Sequence, residues 1–171
     1  MSWLQAMNPA SPITTEAEAE RAARASAISI MIGVVVGLAS LAWTFSNPAA
    51  MQDAMAAASQ GDPSNAAATQ AALQVGLWFG GALVLVQLIL AVVQWRNPGK
   101  FIAILFMVLV AYGLISTLAA PVIAGMMPNV PTVPIWQIAL SLVILIIQMV
   151  LHVAGLRGIK KLDDIQMEQA R

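Results

Sequence analysis

The sequence predicts an all-α polytopic membrane protein, an antiparallel bundle of four transmembrane helices with a short helix on its outer surface. Composition is the first reason: 60% of the 171 residues are hydrophobic and 9% are charged, whereas soluble domains carry about a quarter charged residues. The second reason is that the sequence contains four long apolar stretches. The third is that every basic residue lies near the stretch ends that would share one side of a membrane. The excess apolar residues are therefore expected to face lipid.

The N-terminal segment is predicted to be cytoplasmic and to become helical shortly before the first apolar stretch. Thr15, followed three residues later by Glu18, has the form of a capping box, and helix-forming residues continue from there. The apolar side chains of Trp3, Leu4 and Met7 leave two interpretations open. One is a short anchor on the inner membrane surface, and the other is a disordered terminus, which the shortness of the segment favours.

Each apolar stretch is long enough to cross about 30 Å of hydrocarbon. The predicted spans cover 26–45, 72–95, 101–124 and 134–156. None of them contains Asp, Glu, Lys or Arg. The first is predicted to be an anchor rather than a cleaved signal peptide, whose apolar core runs for only about 7–15 residues after a basic region. The resulting organisation is an N-terminal segment over 1–25, a transmembrane domain over 26–156 and a cytoplasmic tail over 157–171.

Two connections have recognisable local signals. In the outer loop 46–71, Asn47 is a candidate N-cap, Pro48 suits the first helical position and Gly61 suits the residue after the last turn. These signals predict a short helix on the outer surface. The short inner connection 96–100 contains Asn-Pro-Gly and predicts a tight turn, which makes the second and third spans antiparallel neighbours.

The basic residues give the orientation. They are Arg21, Arg24, Arg96, Lys100, Arg157, Lys160, Lys161 and Arg171. All eight lie beside the inner ends of the predicted spans, whereas the outer loops contain no Lys or Arg. The positive-inside rule therefore predicts that both termini are cytoplasmic. This pattern, together with the Ala-rich composition, favours a bacterial inner membrane.

Small residues recur at four-residue spacing in two spans. They are Ser29, Gly33 and Gly37 in the first span and Ala72, Gly76 and Gly80 in the second. Such stripes let helix backbones approach closely, because lipid supplies no hydrophobic drive for helix association. Two interpretations follow: packing inside the bundle, or a face that contacts another protein.

Uncharged polar residues lie on one face of the second span and on one face of the fourth span. They are Gln87 and Gln94 in the second span and Ser141, Gln148 and His152 in the fourth. An unpaired polar group in hydrocarbon costs several kcal/mol, so these side chains are expected to turn inward. They either hydrogen-bond between helices or line a polar path for a solute, in which His152 can change its protonation.

Several functional classes find no support in the sequence. There is no cysteine and only one histidine, so we expect no disulfide, metal site, haem or other cofactor. No nucleophile with an orienting base and no pair of carboxylates occurs within the spans, so we expect no catalytic residues and no enzyme. Net charge is zero, and nucleic acid is not an expected partner.

These observations favour a non-enzymatic interaction protein: an accessory subunit, an assembly factor or a scaffold of a larger membrane complex. Its expected partners are the lipid bilayer and other membrane protein subunits or a second copy of the chain. The alternative is an oligomeric passive channel or carrier for an uncharged or amphiphilic solute, lined by the glutamines and the histidine.

Overall fold

The computed structural model describes residues 2–59, 63–126 and 133–171. Within these residues it contains seven helices and no strand. The helices are α1 (Trp3–Met7), α2 (Glu16–Ala23), α3 (Ala25–Ser46), α4 (Pro48–Ser59), α5 (Pro63–Arg96), α6 (Lys100–Met126) and α7 (Ile135–Gln169). The all-α prediction is confirmed for the described residues.

Four helical segments are long and apolar enough to cross a membrane. They are Glu16–Ser46, formed by α2 and α3, Ala67–Arg96 within α5, Lys100–Met126 and Ile135–Gln169. The predicted number of such helices is confirmed. Two helices extend well beyond the predicted spans: α5 begins at Pro63 rather than at 72, and α7 ends at Gln169 rather than at 156. Helix-forming residues such as Ala, Gln and Lys sustain a helix after its apolar stretch has ended.

The long helices pack in the order α5, α3, α7 and α6. Helices α3 and α7 run antiparallel, since Ser26 contacts His152 while Ser29 contacts Gln148. By contrast, α5 and α6 make few contacts, although only residues 97–99 join them. The short turn therefore does not pair these two helices along their length, and α3 and α7 lie between them.

The buried core lies at one end of the long helices. This end, which we call the basic end, holds α1, α2, the turn at 97–99 and the last turns of α7. Here α7 approaches α2 and α3 closely. If a Cβ atom were added to Gly155, it would lie 2.6 Å from the Cβ of Ser26, and one added to Gly158 would meet the backbone of Ala22 and Ala23. Small side chains, all of them buried, allow this approach.

Helix α1 is part of the basic end. A capping box begins it, in which Gln5 N–H donates to Ser2 Oγ and Ser2 N–H donates to Gln5 Oε1. Trp3 stacks on Trp95 with ring centroids 5.9 Å apart and ring planes 9° from parallel. Met7 packs against a buried cluster formed by α3 and α7. The expectation of a disordered terminus is therefore wrong, because contacts between distant residues hold this short helix.

The predicted capping box of α2 is confirmed. Glu18 N–H donates to Thr15 Oγ1 at 3.3 Å, and Thr15 N–H donates to Glu18 Oε2 at 3.2 Å. Arg24 alone separates α2 from α3 and keeps a helical backbone conformation. Its guanidinium pairs with Glu20 and lies 5.5 Å from the centroid of the Trp95 ring. The first span therefore emerges from a nearly continuous helix.

The short helix predicted after Asn47 is present as α4, which packs against α5. It begins at Pro48, in agreement with the preference of proline for the first helical position. Gly61, the predicted residue after its last turn, lies outside the described residues. The location of α4 on an outer membrane surface stays a prediction.

Candidate functional site

Two reciprocal hydrogen bonds join α3 to α7 within the apolar interior. Ser29 Oγ donates to the carbonyl oxygen of Gln148 at 3.0 Å, and Gln148 Nε2 donates to the carbonyl oxygen of Ser29 at 3.0 Å. Both side chains are buried. Each side chain satisfies a polar group of the other helix in a buried position, so the pair holds the two helices in register. Ser29 and Gln148, predicted to belong to different sites, are in fact partners.

His152 lies one turn further along α7 and is also buried. Its Nδ1 is 2.9 Å from Ser26 Oγ, and its ring stacks on Phe106 with centroids 6.3 Å apart. Its Nε2 has no hydrogen-bond partner among the described residues. A neutral imidazole offers one N–H donor and one acceptor, so the hydroxyl of Ser26 can serve either tautomer at Nδ1. The histidine therefore links α3, α6 and α7.

The described residues contain no group of three His, Cys, Asp or Glu side chains that could hold a metal ion. His152 is accordingly surrounded by a hydroxyl and an aromatic ring rather than by further metal ligands. The expectation that the chain has neither metal nor cofactor stays a prediction.

Gln94 supports the turn between α5 and α6. Its Oε1 accepts a hydrogen bond from Gly99 N–H at 3.1 Å, and the residue is fully buried. Backbone groups that follow a helix end need such partners, because the helix itself no longer supplies them. Gln94 therefore closes the turn, and its Nε2 has no partner among the described residues.

Gly33 is the position where glutamines from two helices approach α3. A Cβ at Gly33 lies 3.2 Å from Nε2 of Gln148 and 3.8 Å from Oε1 of Gln87. The structure thus brings the predicted glutamines of α5 and α7 toward one point. They converge on a helix backbone that lies between them, however, and Gln148 is already bonded to Ser29.

Ser141 lies in a different part of the molecule from Gln148 and His152. It lines an open-sided groove of about 870 Å³ between α3, α6 and α7 on the far side from the basic end. Ser40, Thr44 and Ser116 also line this groove, together with mainly apolar residues. The five residues predicted to form a polar path are therefore divided among four places. Ser141 lines this groove, Gln148 and His152 belong to the buried contacts of α7 with α3, Gln94 closes the turn, and Gln87 lies on α5 facing Gly33.

The two stripes of small residues have different surroundings. A Cβ at Gly37 lies 2.7 Å from Cγ2 of Val84, so this stripe packs within the protein. A Cβ at Gly76 meets nothing within 4 Å, and one at Gly80 lies 3.9 Å from Leu41. The second stripe, with Ala72 and Gly76 both exposed, is thus largely open.

A second cavity, of about 510 Å³, lies between α3, α4 and α5. Its lining is mainly apolar, with Phe45 and Trp78 as the aromatic members and Gln70 and Gln74 as polar ones. Its lining contains no charged residue. The cavity thus lies where the ends of α3 and α5 meet α4.

Sequence reasoning missed one close helix contact, that of Gly155 and Gly158 with α2 and α3. A signal exists, since Ala19, Ala23 and Ala27 recur at four-residue spacing across the start of the first predicted span. Because Ala19 and Ala23 precede that span, they are interpreted only as helix formers in a cytoplasmic segment. The same spacing, read as a small-residue stripe, predicts the contact.

Comparison with known proteins returns no similar family model, no similar curated protein and no similar solved structure. The geometry of the chain itself carries the functional argument.

Proposed function

We propose that this chain is a small, non-enzymatic integral membrane protein that serves as an accessory subunit, assembly factor or scaffold of a larger membrane complex. The observation that carries the proposal is the open face of α5. In an 18-residue apolar stretch of α5, only 6% of the residues are buried. In the corresponding stretch of Glu16–Ser46, 33% are buried.

A membrane location explains why the surface is so apolar. Large side chains such as Val75, Trp78 and Phe79 are 64% to 77% exposed on α5. Soluble monomers rarely expose contiguous apolar patches larger than a few hundred Å². The helices of this chain, by contrast, are apolar on many sides, as expected where lipid is the solvent.

Orientation follows from charge. The basic end carries the turn at 97–99 with its neighbours Arg96 and Lys100, whereas α4 carries Asp53 and no basic residue. We propose that the basic end is cytoplasmic, that both termini lie there, and that the membrane is a bacterial inner membrane. The four long helices then form the antiparallel membrane bundle, with α4 on the outer surface.

The helix order supports a subunit more than a closed, self-sufficient bundle. Helices α5 and α6 form the two ends of the row and make few contacts with each other. Gly76 exposes the α5 backbone on such an end, and lipid covers a backbone less closely than a second helix with a complementary surface does. A partner helix that packs on α5 would contact the exposed backbone at Gly76 more closely than lipid does.

The test is extraction from the native membrane in gentle detergent, followed by native mass analysis of Gly76→Leu beside Gly125→Leu. A Cβ added at either glycine meets no atom of the described residues within 4 Å, so both side chains start in open space. We expect wild type and Gly125→Leu to keep a partner that Gly76→Leu loses. A chain that always purifies alone, or a partner that Gly76→Leu retains, would contradict the proposal.

The alternative function, an oligomeric passive channel or carrier, has weaker support. It requires Gln87 and Gln148 to face water, whereas Gln148 is buried and bonded to Ser29. Its remaining support is the groove that contains Ser141. For a channel, replacement of Gln87 and Gln148 by Leu abolishes solute flux into proteoliposomes; for a scaffold, there is no flux to abolish.

A further inference from the structure

A shallow pocket at the basic end gathers three cations. It has a volume of about 300 Å³ and is lined by Arg157, Lys160, Lys161, Asp164 and Ile13. We call it the basic pocket. The first four residues belong to α7, while Ile13 comes from the connection between α1 and α2.

The spacing in the sequence explains the convergence of the cations. Arg157, Lys160 and Lys161 are three and four residues apart, so their side chains share one face of α7. The connection before α2 then closes the pocket from one side, since Arg157 Nη2 donates to the carbonyl oxygen of Ser11 at 3.5 Å. That long bond leaves most of the five N–H donors of the guanidinium free.

In the part of the chain that the structure describes, no ion pair neutralises the three cations of the pocket. Among the described residues, none of the three cations has a carboxylate within ion-pair distance, although Asp164 lines the same pocket. The neighbouring Asp163 pairs instead with Lys100, at 2.6 Å. Three cations and one carboxylate leave an excess of two positive charges in the lining.

The position of the pocket along α7 restricts the source of an anion. The predicted span ends at 156, one residue before Arg157, and Leu156 still packs against a buried cluster. If the protein spans the membrane as proposed, the pocket lies at the level of the lipid headgroups on the cytoplasmic side. The half-buried Ile13 adds an apolar wall, which suits a molecule with a charged head and an apolar body.

We propose that the basic pocket binds the phosphate of an anionic membrane lipid. Arg157 suits bidentate contact with two phosphate oxygens, and the lysines act as compact point charges. The inference rests on the proposed membrane location but not on a partner complex. Basic residues near a membrane attract anionic lipids at about 1 kcal/mol each, which corresponds to roughly a fivefold change in binding.

The general attraction of the basic end for anionic lipid is the competing explanation. It predicts similar effects for basic residues at a similar distance from the predicted spans, whereas a specific pocket predicts a large effect only for its own residues. Arg21 and Arg96 carry the same charge, lie within five residues of a predicted span end, as the two lysines do, and are not among the residues that line the pocket. The pair Arg21→Gln and Arg96→Gln is therefore the matched control for Lys160→Gln and Lys161→Gln.

The experiment places the full chain in phosphatidylcholine nanodiscs that contain a few per cent phosphatidylglycerol and counts retained lipids by native mass spectrometry. Wild type and the arginine control are expected to retain one phosphatidylglycerol. The lysine variant is expected to lose it, with affinity reduced about 25-fold, two fivefold steps. Equal loss in both variants, or no retained anionic lipid in wild type, overturns the proposal.

A second arm distinguishes lipid from free phosphate. Millimolar inorganic phosphate added to the same nanodiscs is expected to leave the retained phosphatidylglycerol in place, because the apolar wall at Ile13 contributes only to lipid binding. Displacement by inorganic phosphate overturns a lipid source. Extraction with alkaline carbonate reports membrane insertion separately, and native mass analysis of the extracted protein reports partners, so failure of the proposed function and failure of the lipid site are distinguishable.

Discussion

Two glycines of α7 determine how closely this helix approaches α2 and α3. At Gly155 an added Cβ lies 2.8 Å from the backbone nitrogen of Ser26, and at Gly158 it meets the backbone nitrogen of Ala23. Neither neighbouring atom belongs to a flexible side chain, so the contact relaxes only if a helix moves. Small residues at such a contact are what allow two helix backbones to approach this closely.

The substitution Gly158→Ala tests this contact. We expect it to destabilise the protein by about 1–3 kcal/mol, the usual range for overpacking. Gly125→Ala is the control, since its Cβ meets no atom of the described residues within 4 Å and alanine favours helix by up to about 1 kcal/mol. The measurement is thermal unfolding in detergent, monitored by circular dichroism. Equal transition temperatures for the two variants would mean that α7 does not lie this close.

The hydroxyl of Ser26 offers a second test at this scale. Ser26→Ala leaves Nδ1 of the buried His152 without a partner, at an expected cost of about 1–3 kcal/mol. Ser29→Ala is expected to cost less, about 0.6 kcal/mol, because Gln148 Nε2 still donates to the carbonyl oxygen of residue 29. Both are compared by unfolding in mixed detergent. A larger loss for Ser29→Ala contradicts the assigned partners.

Local sequence signals accompany most helices of this protein, but sequence reasoning missed the one at α1, the capping box of Ser2 and Gln5. Thr15 and Glu18 form the capping box that their spacing predicts, and Pro48 begins α4. Helix α1 has only five residues, and isolated helices shorter than about 12 residues are marginal in water. The stacking of Trp3 on Trp95 joins residues far apart in sequence, so no local signal predicts it.

Removal of that stacking contact should release α1. Trp3→Ala is expected to weaken docking by about 0.5–1.5 kcal/mol beyond the loss of buried area and to speed amide exchange in residues 3–8. Leu4→Ala is the matched control, because Leu4 is 82% exposed. Hydrogen exchange measured by mass spectrometry compares the two variants. Equal acceleration in both would indicate that the ring stacking does not hold α1.

At the scale of the whole molecule, composition predicts four long apolar helices but not which of them are neighbours. The turn at 97–99 suggests a pair of α5 and α6, whereas the structure places α3 beside both α5 and α7. Apolar side chains face lipid as readily as another helix, so hydropathy does not select a partner. Polar residues do: Gln148 and Ser29 select each other, although the sequence does not reveal their pairing.

The orientation of the whole chain is open to a direct test, because the protein has no cysteine. Single cysteines at Asp53 of α4, Asn97 of the turn and Gln166 near the end of α7 occupy exposed positions. Basic residues flank Asn97 and precede Gln166 but are absent from α4. The positive-inside rule therefore places Asp53 on the side opposite to the other two.

In spheroplasts, from which the outer membrane has been removed and in which the inner membrane is intact, a membrane-impermeant maleimide should label Asp53→Cys at once. Asn97→Cys and Gln166→Cys should react only after the membrane is permeabilised. Labelling of all three without permeabilisation argues against a membrane-spanning chain, whereas labelling of Asn97→Cys and Gln166→Cys alone reverses the orientation. Reversal would also move the basic pocket to the outer leaflet, where anionic lipid on the cytoplasmic side cannot reach it.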